Sequence, residues 1–503
     1  MTGRIAYLAL DLGTTELKGG LIATDGTMLA AGRAGYELDS DHTGRAEQDP
    51  ETWWHAVRDV VARIVAAAGD VEIAALAVVG QGPTLVTVDA EGAPIRPAIT
   101  WLDTRSGREA KDLETATGMS GWELGIQPAA LRVERAEPAV AARTRWYLNS
   151  WEWLTYRMTG VAATTLARGQ RRPDGSMTTP LGLPGSKLGP TVAVGTALGG
   201  LLPRPAAELG LPYGIPVAAG ANDAYASFFG AGLREAGDAI DTGGTSGGLA
   251  VYWDEACEVL GSFRAPAPIP GRWVYGGAMA ATGKAVEWFR EDVLGDDVDM
   301  STLLREVAAT PPGAGDLVFL PYLAGERAPL WDPSARGAFV GLGLEHGRGH
   351  LARAVLEAAA FALRHVAAPI RAAGVEIREL RVSGASARSR VWNRIKADIL
   401  GVPVAVPEVA ETALQGAAVL AAVGVGHQAD LRSAMGALVR FADRLDADPS
   451  AAPTYDALYE AYTALYPAIQ PVVRRYRSVP GVQERPPGEA WSDAPGGAAA
   501  ARP

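Results

Sequence analysis

Two short stretches of this chain have the residue types to hold phosphate. One reads Leu10-Asp11-Leu12-Gly13-Thr14-Thr15, the other Ile240-Asp241-Thr242-Gly243-Gly244-Thr245-Ser246-Gly247-Gly248. Glycines let the backbone turn tightly and bring its N–H groups close to a ligand. Backbone donors beside Thr and Ser hydroxyls suit phosphate oxygens. The carboxylate at the second strand end, Asp241, can reach a metal through water, and Asp11 holds the same place in the first stretch. A single such stretch is an ordinary Gly-rich hairpin, because short motifs recur by chance. Two copies point to an internal duplication, with two phosphate-binding turns facing one nucleotide.

A third acid, Asp223, follows an apolar run and Gly220-Ala221-Asn222, where a carboxylate can be aimed into a cleft. Asn222 or Asp223 also reads as an ordinary helix cap before Ala224. Gln81, Trp101, Asp103, Asn222 and Asp223 could line a polar pocket, since such side chains give directional hydrogen bonds and an aromatic face can stack on C–H groups. Each residue also has a structural reading, Trp101 as a core aromatic and Asp103 as a turn residue.

The elements that must position these groups alternate between strands and helices. Ile5–Leu10, Leu17–Ala23 and Met28–Ala31 read as an antiparallel meander. Asp49-Pro50-Glu51 opens a helix, with Asp as cap and Pro at its first position. Val71–Val79 is a buried strand, and Leu85–Val88 and Ile95–Trp101 are strand-like. Thr144–Thr159 reads as a helix rich in aromatics, and 161–190 as loops with short strands. Ile215–Ala219 leads through a strand into a small-residue helix from Ala224. The second half repeats the plan, with strands at Ala239–Asp241, Leu249–Tyr252, Val274–Gly276, Leu317–Pro321, Glu379–Val382 and Val404–Val406. Its helices are expected at Lys284–Asp292, Ser301–Ala308, His350–Ala368, Val391–Leu400 and Leu414–Val423. The domains are placed at 1–235 and 236–478, with a disordered Pro-, Gly- and Ala-rich tail over 479–503.

A chain of 503 residues is too long for one core. Its 48% hydrophobic and 20% charged content fits a soluble globular protein. A formal charge of -11 and the lack of basic runs argue against a nucleic-acid partner. Cys257 is the only cysteine, which excludes an internal disulfide and a Cys-based zinc site and fits a reducing cytoplasm. His346 and His350 share a helix-like spacing and read as a solvated pair. No run of about 18 apolar residues exists, so no membrane span is expected.

The chain resembles the FGGY family of carbohydrate kinases over roughly residues 4–475, and its layout is most similar to the xylulokinases. Gly337-Ala338-Phe339-Val340-Gly341-Leu342 is followed, after seven residues, by His350-Leu351 and then Ala354-Val355-Leu356-Glu357, in the order of a family signature. The resemblance implies an α/β fold of two ribonuclease-H-like domains, as in the actin/hexokinase superfamily, with ATP in the cleft between them. It implies that Asp223 is the catalytic base and that Asp11 orients Mg²⁺ through water. Thr14, Thr15, Gly244 and Thr245 would contact phosphate, and Gly283, Glu287, Gly384 and Ala385 would lie along the adenosine. The family's members are often homodimers. The chain also departs from the pattern. Xylulokinases carry Met-His after the glutamine and glycerol kinases Arg-Glu, where this chain has Gly82-Pro83, and the lysine expected near Ala130 is absent. The implied reaction is phosphorylation of a pentulose such as xylulose. Another ketose, a polyol or a sugar acid is the alternative acceptor, and a regulatory nucleotide-binding protein without kinase activity the alternative class.

Overall fold

Both Asp-Gly-Thr stretches leave an interior strand of a mixed sheet. In a computed structural model of the protein, residues 4–477 are described apart from 120, 166–169, 172–176, 179, 245, 268, 270, 296 and 297. The first sheet runs in the order Ala197–Gly200, Pro216–Ala218, Val71–Gly80, Arg4–Leu12, Glu16–Ala23, Met28–Gly35. The second runs Phe441–Leu445, Val404–Pro407, Glu379–Val382, Asp238–Asp241, Gly248–Trp253, Trp273–Ala278, Phe263–Pro266. Arg4–Leu12 and Asp238–Asp241 hold equivalent places, each antiparallel to the strand that follows it and parallel to a later one. The duplication read from two turns therefore extends to whole sheets. Arg4–Leu12 is buried on both faces beyond its first two residues, which explains its unbroken apolar run.

Two helices, Asp223–Gly230 and Thr412–Gly424, join the halves. One core cluster combines Tyr7, Ala9 and Val79 of the first sheet with Ile240, Ala250 and Tyr252 of the second, and adds Ala226, Phe229, Ala417 and Ala421 from these helices. The helices can meet because glycine stands at their crossing. A Cβ on Gly230 would lie 1.8 Å from the Thr412 carbonyl oxygen, and one on Gly416 1.9 Å from that of Ala226. Lys18 and Glu411 add an ion pair of 2.8 Å between the halves.

Several elements differ from their sequence reading. Thr144–Thr159 divides into a strand, Trp146–Asn149, and a helix, Ser150–Thr159. The strand pairs with Leu85–Val88, and the Glu152 carboxylate accepts the Asn149 N–H at 2.8 Å where the helix begins. Both belong to a smaller five-stranded sheet beside the first domain, in which Ile95–Trp101 contributes only Ala98–Ile99. Lys284–Asp292 is an α-helix over Thr282–Trp288 followed by a π-turn, Phe289–Val293. The helix expected at His350–Ala368 runs from Arg348 to Ala372. His346 is not solvated, since its side chain is 2% exposed. It accepts the Gly343 N–H at 2.8 Å and bonds the Gly315 carbonyl at 2.8 Å, so it ties two loops together. The tail over 479–503 lies outside the described residues. Among the described residues no helix is long and apolar enough to cross a membrane.

Candidate active site

The first Gly-Thr turn, the candidate phosphate turn, begins where Asp11 ends its strand. The Gly13 N–H bonds the Glu16 carbonyl at 3.0 Å and closes the turn. Tyr36 donates its hydroxyl to the Gly13 carbonyl at 2.5 Å, and Gln48 its amide to the Thr14 carbonyl at 2.7 Å. Thr14 and Thr15 are thereby displayed on a braced backbone. In this hairpin register Lys18 stands directly across from Asp11. Lys18 is a site residue that the motif reading missed, although pairing the strands on either side of a Gly13-Thr14-Thr15 turn places it there.

The second turn follows Asp241. Gly243 and Gly244 have φ of +60° and +77°, the left-handed region that suits glycine. A Cβ on Gly243 would lie 2.1 Å from the Ser383 carbonyl oxygen, so only glycine lets this turn approach the segment that follows. Thr245 lies outside the described residues. The Asp241 carboxylate is not free for a metal, contrary to its sequence reading. One oxygen accepts the Gly243 N–H at 2.9 Å and the other pairs with Lys396 at 2.6 Å.

Asp11 has what Asp241 lacks. Its Oδ1 is buried and has no hydrogen-bond partner. Burial first, and then the neighbouring Asp223 carboxylate, push its pKa from 3.8 up to about 7, against the opposing pull of Lys18. Burial also raises Asp223 from 3.8 to about 6, although the Ala224 N–H and Lys18 act against it. Two acids that resist ionisation together form a site that a cation would relieve. Among the described residues no group of three or more His, Cys, Asp or Glu could enclose a metal. A divalent ion at Asp11 would take its other ligands from phosphate and water, as Mg²⁺ commonly does.

Asp223 opens the helix Asp223–Gly230, and its carboxylate accepts the Ala224 N–H at 2.7 Å. Asn222 is the helix cap, accepting the same N–H at 3.0 Å while its amide donates to the Gly82 carbonyl at 3.3 Å. Each end of the Asn222 side chain makes one bond within the protein, and as cap it fixes the start of the helix that carries Asp223. Asp103 is likewise taken. Its carboxylate is fully buried, accepts the Ala46 N–H at 3.0 Å and is gripped by Arg105 at 2.5 Å. Glu47 also contacts Arg105, so this network fixes the loop that carries Trp101. Gln81 is 1% exposed and its side-chain amide donates to Gln48 at 2.8 Å, while its side-chain oxygen Oε1 has no partner. Trp101 is 46% exposed and donates its indole N–H to the Thr14 hydroxyl at 3.0 Å. An apolar ring face is therefore tied directly to the first phosphate turn.

The remaining predicted residues gather by the second turn. Gly384, at φ +67°, starts the short helix Gly384–Ala387, and a Cβ there would come within 3.5 Å of the Gly244 nitrogen. Ala385 is exposed beside it. Thr282 bonds the Ser246 carbonyl through its hydroxyl at 2.9 Å, which fastens the helix bearing Gly283 and Glu287 to the turn. Glu287 is exposed and pairs with Lys284 at 3.4 Å.

The sequence model of the N-terminal domain of the FGGY family of carbohydrate kinases matches residues 6–230, and that of its C-terminal domain matches residues 242–425. The chain belongs to the FGGY family of carbohydrate kinases. This FGGY kinase is 28% identical over 488 residues to a xylulose kinase of Staphylococcus epidermidis, covering 91% of this chain and 96% of the relative. It is 31% identical over 460 residues to a glycerol kinase of Beutenbergia cavernae, covering 83% and 89%. Its fold matches the crystal structure of a xylulose kinase from Rhodospirillum rubrum with a TM-score of 0.78 and 32% identity, over 93% of this chain and all of that one. The protein is thus a carbohydrate kinase of the actin/hexokinase-like architecture, and kinases of this family take ATP as phosphate donor.

Proposed function

We propose that this FGGY kinase transfers the γ-phosphoryl group of ATP to a hydroxyl of a pentulose such as xylulose, with Asp223 as base. The observation that carries this reading is the buried acid pair, Asp11 and Asp223, set beside Lys18 where the first glycine-rich turn begins. Phosphoryl transfer asks the protein chiefly for positioning and charge neutralisation. Thr14, Thr15 and the 242–247 turn supply hydroxyl and N–H donors for the phosphates, and Lys18 supplies positive charge. Asp11, with its unpartnered oxygen, would hold Mg²⁺ through water. That ion would neutralise charge on the phosphate oxygens.

Asp223 accepts the proton of the acceptor hydroxyl as its oxygen bonds to phosphorus. The bond from phosphorus to the bridging oxygen breaks, and ADP leaves. A base with a pKa near 6 is ionised at neutral pH and still strong enough to take a proton late in the transfer. Trp101 offers a ring face to the carbon chain of the acceptor, and Gln81 and Gln48 brace the floor beneath it. Gly283, Glu287, Gly384 and Ala385 border the nucleotide.

The xylulose kinase relatives support the choice of a pentulose. A polyol such as glycerol is the second reading, supported by the 31% identity to the glycerol kinase. Coupled ADP release with xylulose, ribulose, glycerol and gluconate tests both. A strong response to a pentulose alone supports the first reading. A response to glycerol alone replaces it with the second.

A further inference from the structure

One buried charge has no part in the chemistry above. Lys396 lies on the helix Arg390–Leu400 and is 1% exposed. Its ammonium pairs with Asp241 at 2.6 Å and donates to the Ser386 hydroxyl at 3.1 Å. It also sits 4.6 Å from the centre of the Trp392 ring. Its two polar partners belong to different loops. Asp241 begins the second phosphate turn and holds the Gly243 N–H, whereas Ser386 lies in the Gly384–Ala387 segment. The same helix reaches that segment again, since the Asn393 amide donates to the Ala387 carbonyl at 2.8 Å. Gly243, Gly244, Ser386 and Lys396 line one narrow cavity under the turn.

The structure assigns Lys396 a positioning role: it joins the phosphate turn to the nucleotide-side segment and sets the spacing between them. This rests on the proposed nucleotide site. A buried lysine is costly to desolvate, and a carboxylate and a hydroxyl at hydrogen-bond distance offset that cost only in a fixed geometry. The ion pair therefore tolerates few arrangements of the two loops. In metal sites, partners that orient the ligating groups change affinity by about 10- to 100-fold when removed, which sets the scale expected of a residue that orients a nucleotide-binding turn. Here the change should fall on the nucleotide, because every contact of Lys396 lies on that side of the site.

The test compares wild type with Lys396→Met and with the uncharged pair Asp241→Asn/Lys396→Met. Titration calorimetry gives the MgADP affinity, and steady-state assays give KM for ATP and for the acceptor. Lys396→Met is expected to weaken MgADP binding about ten-fold or more and to raise KM for ATP in step. The acceptor KM should stay within about two-fold, as expected for a distant, independent site. If the single variant fails to fold, the double variant leaves no buried charge unpaired and should show the same split between nucleotide and acceptor. Unchanged MgADP affinity in a folded variant would overturn the role, as would equal changes in both KM values. Wild type that binds no MgADP would instead overturn the nucleotide site, and the inference with it.

Discussion

Replacing Asp223 with Asn should raise stability and sharply slow transfer together. The amide keeps an oxygen for the Ala224 N–H, so the start of the helix is preserved. It cannot take the acceptor's proton. General-base catalysis is worth about 10²- to 10⁴-fold, so kcat should fall by about that factor. The stability effect has the opposite sign. Burial lifts the Asp223 pKa from 3.8 to about 6 in the folded protein. Below pH 3.8 the carboxyl is protonated in both states and does not affect folding. As pH rises the unfolded chain ionises first, and folding is increasingly disfavoured until pH passes about 6. At about 1.4 kcal/mol per pH unit, the full cost above pH 6 is about 3 kcal/mol. The variant is spared this cost, so its melting temperature should match wild type near pH 4 and exceed it increasingly up to pH 7. Wild-type kcat/KM for the acceptor should rise through an apparent pKa near 6, a limb absent from the variant's residual rate. Thermal scans of the nucleotide-free protein over that range, beside coupled ADP release, read both effects. A pH-independent difference in melting temperature, or a kcat within about ten-fold of wild type, would refute the reasoning.

Lys18→Met should raise KM for ATP, whereas Glu411→Gln, which frees Lys18 from its 2.8 Å partner, should lower it. Shifts in the same direction would remove Lys18 as a phosphate ligand. Gly416→Ala should lower stability by about 1–3 kcal/mol or more, because its Cβ would stand 1.9 Å from the Ala226 carbonyl oxygen. A melting temperature equal to wild type would show that the helices do not cross there. EDTA should abolish ADP release and Mg²⁺ restore it; full activity in EDTA would remove the metal role of Asp11.

The parts legible in the sequence are those where one residue type answers a local demand. Asp11 and Asp241 stand out because glycine and threonine follow them at strand ends, and the equivalent places of their strands confirm the duplication. Leu414–Val423 was readable as a close-packing helix from its small residues, although not that it would pair with Asp223–Gly230. The five-stranded sheet was hidden because its strands are as short as Ala98–Ile99 and pair with residues about 50 positions away. Asn222, Asp103 and Gln81 were recognisable as polar residues near a cleft. Which atoms they keep for a ligand depends on partners such as Gly82, Ala46 and Gln48, set by tertiary packing. Lys396 left a trace that was not read. It falls on the same face as Trp392 and Ile399 in the amphipathic helix, where an unpaired lysine would not be stable.

A crystal structure with Mg²⁺, a non-hydrolysable ATP analogue and the responding acceptor would show the base directly. The phosphates should lie between Thr14–Thr15 and the 242–247 turn, Mg²⁺ should be linked to Asp11 through water, and the reacting hydroxyl should be within hydrogen-bond distance of the Asp223 carboxylate. An acceptor hydroxyl hydrogen-bonded to another base, with Asp223 turned away from it, would contradict the central claim.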